Sequence, residues 1–345
     1  DMGGSDASPK LDTLGGKSWE KKRERLKKRM EEMAEELAIL YEKRKQIKGF
    51  KYPTDSKWQE EFEAGFPFEE TPDQLTAIEE VKQDMETEYP MDRLICGDVG
   101  YGKTEVAMRA CFKAVSAGKQ VAVLVPTTLL AEQHYQNFLE RFEGFPVSIQ
   151  MLSRLVPAKQ AKETLKGISE GSVDILIGTH KILSETVLFK NLGLLVIDEE
   201  QRFGVKHKER IKQMKASIDV LTLSATPIPR TLYMGLSNLR DMSLITTPPV
   251  SRIPVKTKVM PFEENTVVQA IRREKDRGGQ IFIVHNRVKT IEQFADFIRR
   301  LVPGISIAVG HAQMSAIEIE NIFLDFVHKK YDILISTTII ENGID

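Results

Sequence analysis

The sequence predicts an α/β protein in which two lobes, each with a mostly parallel sheet, follow a long amphipathic helix. The first observation behind this prediction is that short apolar runs alternate with segments of helical periodicity after residue 70. The second is a break at residues 246–249, Thr-Thr-Pro-Pro, after which the same alternation resumes. The third is the helical spacing of apolar residues between 17 and 48.

The helix before the lobes is predicted from apolar residues spaced four, three, four and three apart. These residues are Leu26, Met30, Met33, Leu37 and Leu40. Residues 17–48 contain 12 basic and 7 acidic residues, so this helix is locally positive. A solvated face on a helix docked to its own protein and a face that binds DNA or a partner both fit this charge. Residues 1–16 are rich in Gly, Ser, Asp and Pro, which predicts a loop.

Six strand-like runs predict the sheet of the first lobe. They lie at residues 93–96, 121–125, 149–152, 175–177, 194–197 and 220–223. Before them, Thr71, Pro72 and Gln74 form a capping box that predicts the start of a helix. In the second lobe, strands are predicted at 256–259, 280–284, 306–309 and 333–336, and helices near 266–276, 290–301 and 316–327. Because the sequence stops at Asp345, we expect a fragment of a longer chain whose second sheet is incomplete.

The composition excludes several classes of protein. With 49 basic and 50 acidic residues the formal net charge is −1, so nucleic-acid binding would have to come from a local groove. Two cysteines, Cys96 and Cys111, are too few for a disulfide scaffold and fit a reducing compartment. No apolar stretch approaches the roughly 20 residues of a membrane span. We therefore expect a soluble, cytoplasmic protein without a signal segment.

Residues 97–104, Gly-Asp-Val-Gly-Tyr-Gly-Lys-Thr, match the phosphate-loop pattern G-x-x-x-x-G-K-[ST]. The match lies between a predicted strand and a helical run, which is the context that this motif requires. Backbone N–H groups of such a loop and the positive end of the helix dipole bind phosphate oxygens. Lys103 is expected to reach the β- and γ-phosphates, and the Thr104 hydroxyl to ligate Mg²⁺. The predicted cofactors are therefore ATP and Mg²⁺.

Two acids follow the predicted strand 194–197, at the end where a parallel sheet presents side chains toward the phosphate loop. Asp198 is expected to hold Mg²⁺ through water, and Glu199 to orient or deprotonate the water that attacks the γ-phosphate. Acids after a strand are often only the solvated start of a helix. Together with the phosphate loop, they are better interpreted as the second half of a nucleotide site.

Small hydroxyl residues follow four further strand-like runs. They lie at residues 127–128, 179, 224 and 226, and 337–338. Ligands of open α/β sheets bind at this end of the strands, and hydroxyl and backbone N–H groups suit phosphate oxygens without reading bases. Each of these residues could separately be a helix N-cap. Their recurrence beside a nucleotide site favours a surface that binds a nucleic-acid backbone.

Taken in order, these motifs resemble those of superfamily 2 helicases and translocases, which have two RecA-like lobes, from about Phe68 to the end of the sequence. Three strings, at residues 198–205, 225–232 and 310–314, resemble two related groups, the RecG helicases and the bacterial transcription-repair coupling factors. Residues 1–19 resemble the end of the coupling factors' RNA-polymerase-interacting domain, and the basic helix resembles their connecting helix. The resemblance is therefore closer to the coupling-factor family.

The resemblance to coupling factors implies an ATP-driven translocase on double-stranded DNA that acts on stalled RNA polymerase and supports nucleotide excision repair. An excision-repair damage-recognition protein would bind through domains outside this sequence. The implied parts are the end of the polymerase-interacting domain at 1–16, the connecting helix and linker at 17–65, and RecA-like lobes at 66–247 and 248–345. A RecG-like fork or junction remodeller and a nucleotide-gated RNA-polymerase adaptor are the alternatives.

The resemblance also implies roles for residues of the nucleotide site. Phe68 and Gln74 would contact adenine, and the phosphates would be bound by Gly97, Gly100 and Gly102 together with Lys103 and Thr104. Gln201 stands where the family usually has His, and it would hydrogen-bond a γ-phosphate oxygen. From the second lobe, the residues expected to face the nucleotide are Asn342, Gly343 and Asp345.

Further residues are implied to work with DNA and with the movement of the lobes. The residues expected to track a DNA backbone are Thr127, Thr128, Thr179, His180 and Thr337. Those expected to couple the nucleotide state to lobe movement are Ser224, Ala225 and Thr226. The arginine finger and the translocation motif of the family are expected beyond the last residue of this sequence.

Overall fold

The computed structural model describes residues 47–215, 218–225, 241–250, 252 and 255–337, and the structural statements below concern this part of the chain. Some of the predictions lie outside it. They concern the N-terminal loop and nearly all of the amphipathic helix, together with Thr226, Asn342, Gly343 and Asp345. Among the described helices, none combines the length and the apolar character that crossing a membrane requires.

The first lobe is built on a parallel sheet that has seven strands in the described residues. They are β1 Asp92–Gly97, β2 Gln120–Leu124, β3 Ile149–Leu152, β4 Ile175–Gly178, β5 Leu192–Asp198, β6 Asp219–Ser224 and β7 Asp241–Ile245. Across the sheet their order is β3-β4-β2-β5-β6-β1-β7, and every pairing is parallel. The six predicted strands are confirmed to within two residues at each end, and β7 was not predicted.

Helices connect these strands and cover the sheet. They are α1 Lys57–Ala64, α2 Pro72–Met85, α3 Lys103–Ser116, α4 Thr128–Arg141, α5 Ala158–Glu170 and α6 Val205–Lys215. The predicted capping box at the start of α2 is confirmed. The backbone N–H of Gln74 donates to Thr71 Oγ1, and the N–H of Thr71 donates to Gln74 Oε1. This reciprocal pair satisfies two of the donors that a helix start leaves unbonded.

The core of the first lobe lies on both faces of its sheet. Strand β2 is buried along its whole length, and its side chains alternate between two apolar clusters. Val121 and Val123 belong to the cluster that contains Phe112 of α3, whereas Ala122 and Leu124 belong to the cluster that contains Ile168 of α5. Burial on both faces is typical of a parallel sheet covered by helices. It explains why these strands appear in the sequence as continuous apolar runs.

The second lobe has a parallel sheet of three strands in the described residues, in the order β8-β10-β9. The strands are β8 Ile281–Val284, β9 Ile307–Gly310 and β10 Ile333–Ser336, and the helices are α7 Glu264–Asp276, α8 Val288–Leu301 and α9 Ala316–Val327. The predicted strands and helices after residue 263 are thus confirmed. Together the two lobes confirm the α/β class and the parallel arrangement.

The strand predicted at residues 256–259 is wrong. Residues 255–262 are exposed, and within the described part of the chain they pair with no strand. The β-branched residues Val255, Thr257 and Val259, which alternate with lysine, favour an extended backbone. A strand forms, however, only where a neighbour satisfies its N–H and C=O groups, and that neighbour cannot be inferred from local pattern.

The two lobes meet where the N-terminal end of α4 faces the second sheet and α9. Leu129 is only 7% exposed, and it packs in one apolar cluster with Phe323 and Phe326 of α9 and with Leu334 of β10. This contact places the carboxyl end of β2 next to the second lobe. Several of the residues predicted to bind DNA therefore lie near the junction between the lobes.

Candidate nucleotide and nucleic-acid site

The phosphate loop joins β1 to α3 and turns through two glycines with positive φ. Gly100 has φ of 75° and Gly102 has φ of 78°, a left-handed conformation that glycine adopts readily. A Cβ added to Gly102 would collide with the side-chain amide of Gln74. The backbone conformation therefore favours glycine at residue 102, as the motif predicts, and a larger residue would also displace the Gln74 amide.

A cavity of about 1040 Å³ opens beside this loop. The predicted residues that line it are Phe68, Gln74, Gly100, Gly102, Lys103, Thr104, Asp198, Glu199 and Ala225. Lys103 Nζ donates hydrogen bonds to the carbonyl oxygens of Gly97 and Asp98, at 2.8 and 2.9 Å. Its ammonium group therefore lies at the mouth of the loop. The structure brings the two halves of the predicted nucleotide site together around one cavity.

The groups around the cavity fit a nucleoside triphosphate with Mg²⁺. A glycine loop at a helix start supplies N–H donors, Lys103 supplies a positive charge, and Thr104 and Asp198 supply oxygen ligands. In nucleotide sites Mg²⁺ usually takes one or two protein carboxylates and shares phosphate oxygens. When bound there, Mg²⁺ would neutralise charge on the β- and γ-phosphates.

On the adenine side of the cavity, the Gln74 amide is already bonded within the protein. Its Nε2 donates to the carbonyl of Tyr101 at 2.8 Å, and its Oε1 accepts from Thr71. An amide nitrogen carries two hydrogens, so one bond to a base is compatible with this arrangement. Phe68 is 58% exposed and has an edge-to-face contact with Phe66. Their contact with adenine stays a prediction.

Glu199 follows β5 in a left-handed conformation, with φ of 52°. Such a backbone costs a residue other than glycine about 1–3 kcal/mol. Its Oε1 accepts a hydrogen bond from the backbone N–H of Ala225 at 2.8 Å, and its Oε2 accepts one from the Gln201 side-chain amide. Glu199, the predicted catalytic acid, is thus hydrogen-bonded both to Gln201, which is predicted to contact the γ-phosphate, and to Ala225, a predicted coupling residue. Ser224, the residue before Ala225, ends β6 and is buried.

A buried ion network, which was not predicted, lies behind the phosphate loop. Arg109 of α3 is 3% exposed and donates to Glu105 at 2.9 Å and to Glu70 at 2.5 Å. Arg141 of α4 also donates to Glu105, at 2.9 Å. Buried charges are costly to leave unpaired. The network therefore ties the first turn of α3 to α4 and to the chain segment that carries Phe68.

The five residues predicted to track DNA lie at carboxyl ends of strands in both lobes, and they differ in exposure. Thr127 is the N-cap of α4, because its side chain accepts from the N–H of Leu130 at 3.2 Å. Thr128, Thr179 and Thr337 are buried. The hydroxyl of Thr337 has no hydrogen-bond partner within the described residues. Their contact with DNA stays a prediction, and the buried hydroxyls would have to become accessible for it.

Thr128 makes a contact between the lobes that involves two unpredicted residues. Its hydroxyl donates to Oε1 of Glu320, on α9, at 3.1 Å. Arg154 of the first lobe lies 3.4 Å from the same carboxylate oxygen. Oε2 of Glu320 is buried and has no hydrogen-bond partner in the described part of the chain. A carboxylate from the second lobe thus occupies the surface where DNA phosphates were predicted.

His180 is exposed at the same surface, and its ring stacks on His207 with centroids 5.0 Å apart. Burial, followed by electrostatic interaction with His207, Arg154 and Lys181, lowers the pKa of His180. The ring is therefore neutral at pH 7. It would meet a DNA phosphate as a hydrogen-bond donor, while Arg154 carries the positive charge.

Two family models match the chain. The model of DEAD/DEAH box helicases matches residues 71–234, and that of the helicase conserved C-terminal domain matches residues 263–345. Among solved structures, RecG bound to a three-way DNA junction is 36% identical with a TM-score of 0.74, over 93% of this chain and 44% of that chain. The helicase MrfA bound to DNA is 17% identical with a TM-score of 0.58, over 86% of this chain and 46% of that chain, which shows the fold alone.

These matches and the observed fold define the class, a helicase with two RecA-like lobes. Within this class, the chain belongs to the transcription-repair-coupling factor family. It is 53% identical over 344 residues to the transcription-repair-coupling factor of Bacillus subtilis (strain 168), over 100% of this chain and 29% of that protein. It is 51% identical over 340 residues to that of Staphylococcus aureus (strain USA300), over 99% of this chain and 29% of that protein. The chain thus spans about 29% of the length of these curated relatives.

Proposed function

We propose that this chain is the motor core of an ATP-dependent translocase on double-stranded DNA, which acts on stalled RNA polymerase and couples transcription to nucleotide excision repair. The observation that carries the proposal is the convergence of Lys103, Asp198 and Glu199 on one cavity. From the family we also propose two partners, RNA polymerase and an excision-repair damage-recognition protein, and a location in the bacterial cytoplasm. The proposal further divides the chain into parts at 1–16, 17–65, 66–247 and 248–345.

In this proposal each residue of the site has one task. The loop N–H groups and Lys103 hold the phosphates, and Asp198 and Thr104 hold the cation. Glu199 accepts a proton from the attacking water, and Gln201 hydrogen-bonds the γ-phosphate. Glu199 also accepts a hydrogen bond from Ala225, directly after β6. A movement of Glu199 on loss of the γ-phosphate would therefore shift the end of β6. That segment would then transmit the nucleotide state to the second lobe.

The test of the proposed function is whether duplex DNA stimulates ATP hydrolysis by the full-length protein that carries this sequence. Contacts to phosphates predict that duplex binding falls steeply with salt and differs little between unrelated sequences. Replacing Thr179 and Thr337 by alanine should weaken binding about two- to tenfold on every duplex, since each lost hydrogen bond contributes about 0.5–1.5 kcal/mol. Thr186→Ala is the matched control, because Thr186 is exposed and is not among the residues predicted to contact DNA. Strong preference for one sequence or for single strands would contradict the proposal.

A second prediction concerns Glu320. If DNA phosphates bind near Thr128 and Arg154, the Glu320 carboxylate must leave them, because like charges repel at such short distances. Glu320→Gln should therefore tighten duplex binding about two- to tenfold at moderate salt, measured by fluorescence anisotropy. Glu292→Gln removes the same charge from an exposed position on α8 and should leave binding unchanged. Equal effects of the two variants would show that only net charge matters, and the DNA surface would have to be placed elsewhere.

The RecG structure favours one alternative function, remodelling of forks or junctions, because it shares the two-lobed fold at 36% identity. Strand displacement on model forks separates this activity from translocation on intact duplex. The nucleotide-gated RNA-polymerase adaptor is excluded if duplex DNA stimulates hydrolysis, since an adaptor has no need of a DNA-dependent cycle.

A further inference from the structure

His134 lies in α4 and makes a direct contact with the acid that is proposed to hold the cation. Its Nε2 is 3.0 Å from Oδ2 of Asp198. His134 is only 7% exposed, and the side chain of Asp198 is 15% exposed. We propose that His134 is a positioning residue, which fixes the Asp198 carboxylate so that Mg²⁺ and nucleotide bind together. This proposal rests on the proposed nucleotide site and assigns it a residue outside the recognised motifs.

The hydrogen bond to Asp198 determines which nitrogen of the His134 ring carries the hydrogen. An ionised carboxylate only accepts hydrogen bonds, so the Nε2 of His134 must carry the hydrogen of this contact. The other ring nitrogen, Nδ1, is buried and has no partner within the described residues. Apart from this contact the ring lies edge-on to Phe138, with centroids 6.4 Å apart. A histidine that served only to fill the core would not need a carboxylate as hydrogen-bond partner for either ring nitrogen.

The contact suits a carboxylate that must keep one orientation. His134 engages Oδ2, so Oδ1 of Asp198 is not used in this bond. A donor held by a helix restricts rotation of the carboxylate and thereby lowers the entropy that is lost when a cation is bound. Partners of this kind, one step away from the metal, typically change metal affinity or activity by about 10- to 100-fold when removed.

The position of His134 in α4 also connects two parts of the proposed motor. The helix begins at Thr128, directly after its N-cap Thr127, and both residues belong to the surface predicted to contact DNA. His134 follows six residues later, about 9 Å along the helix axis at 1.5 Å per residue. One helix therefore touches the DNA-facing junction at its start and the cation-binding acid at its second turn.

The experiment compares His134→Leu and His134→Gln in the full-length protein. Leucine removes the donor and is of similar bulk, whereas glutamine retains an N–H that can reach Asp198. Affinity for a fluorescent ATP analogue is measured against Mg²⁺ concentration and again in EDTA. We expect His134→Leu to raise the Mg²⁺ concentration for half-maximal effect about 10- to 100-fold, with unchanged affinity in EDTA. His134→Gln should restore most of the Mg²⁺ response.

Gln136→Ala is the matched control, because Gln136 is exposed on the same helix and bonds only to Glu132 among the described contacts. A His134→Leu variant that responds to Mg²⁺ like the unaltered protein would overturn the proposal. So would an equal loss of affinity in Mg²⁺ and in EDTA, which would indicate a structural role only. If His134→Leu does not fold, His134→Met, which also lacks the donor, takes its place: a weakened Mg²⁺ response with unchanged EDTA affinity supports positioning, and parallel or absent changes refute it.

The result for His134 can be distinguished from the result for the proposed function. A protein with the expected Mg²⁺ response but without DNA-stimulated hydrolysis would refute the translocase and leave the role of His134 in place. A protein that binds no ATP analogue at all would refute both.

Discussion

Replacing Lys103 by alanine is expected to remove nearly all ATP turnover from the full-length protein. The Lys103 ammonium lies at the mouth of the phosphate loop, 2.8 and 2.9 Å from two carbonyl oxygens of that loop. A bound triphosphate would replace the carbonyl oxygens as the partner of the Lys103 ammonium, because phosphate oxygens are charged and carbonyl oxygens are not. Removing one preorganised donor from a developing charge typically costs about 10²–10³ in rate.

Arg252, a second cation beside the loop, is poorly placed to replace Lys103. The Arg252 guanidinium lies over the ring of Tyr101, 4.8 Å from its centroid, and pairs with Asp98 at 3.3 Å. It therefore approaches the loop from the side of the segment that joins the lobes. We expect the loss in Lys103→Ala to be at least about a hundredfold in steady-state phosphate release with duplex DNA present.

Lys166→Ala is a matched control for this prediction. Lys166 is an exposed lysine of α5 whose ion-pair contact is with Glu170, one turn along the same helix. An exposed pair of this kind contributes little to stability, so hydrolysis should remain normal. Near-normal hydrolysis in Lys103→Ala itself would show that the phosphate loop is not the catalytic nucleotide site.

The sequence predicted the phosphate loop well because everything that shapes it is local. The strand, the loop with Gly100 and Gly102, and the helix start are consecutive, and the positive φ at these two positions of the loop favours glycine. The strands of the first sheet were also predictable, since burial on both faces requires uninterrupted apolar runs. The capping box at Thr71 belongs to the same local class.

What the sequence did not predict depends on distant parts of the chain. The contact between His134 and Asp198 joins residues 64 positions apart, and that between Thr128 and Glu320 joins residues 192 positions apart. Neither His134 nor Glu320 stands in a pattern that marks it. For β7 the sequence does carry a local signal, because residues 241–244 alternate polar and apolar, but the run is short and forms a strand where β1 offers an edge to pair with.

Replacing Glu199 by glutamine should separate nucleotide binding from hydrolysis. Glutamine keeps the shape of the side chain, and its Oε1 can still accept the hydrogen bond from the N–H of Ala225. It cannot take a proton from water, so general-base catalysis, worth typically about 10²–10⁴ in rate, is lost. Affinity for a fluorescent ATP analogue should stay within about threefold, because Lys103 and Asp198 are unchanged.

The neighbouring acid provides the control for Glu199→Gln, because Glu200→Gln makes the same change of charge one residue along the chain. If only charge near the cavity mattered, both variants would slow phosphate release to a similar degree. A role in accepting a proton instead predicts a large loss for Glu199→Gln alone, with ATP still bound. The side chain of Glu199 also accepts a hydrogen bond from Ala225, a predicted coupling residue. A variant that holds ATP without hydrolysing it should therefore keep the two lobes in one arrangement. This should be visible as tight duplex binding that does not change with time after ATP is added. Loss of nucleotide binding in Glu199→Gln would instead assign this carboxylate to holding the nucleotide.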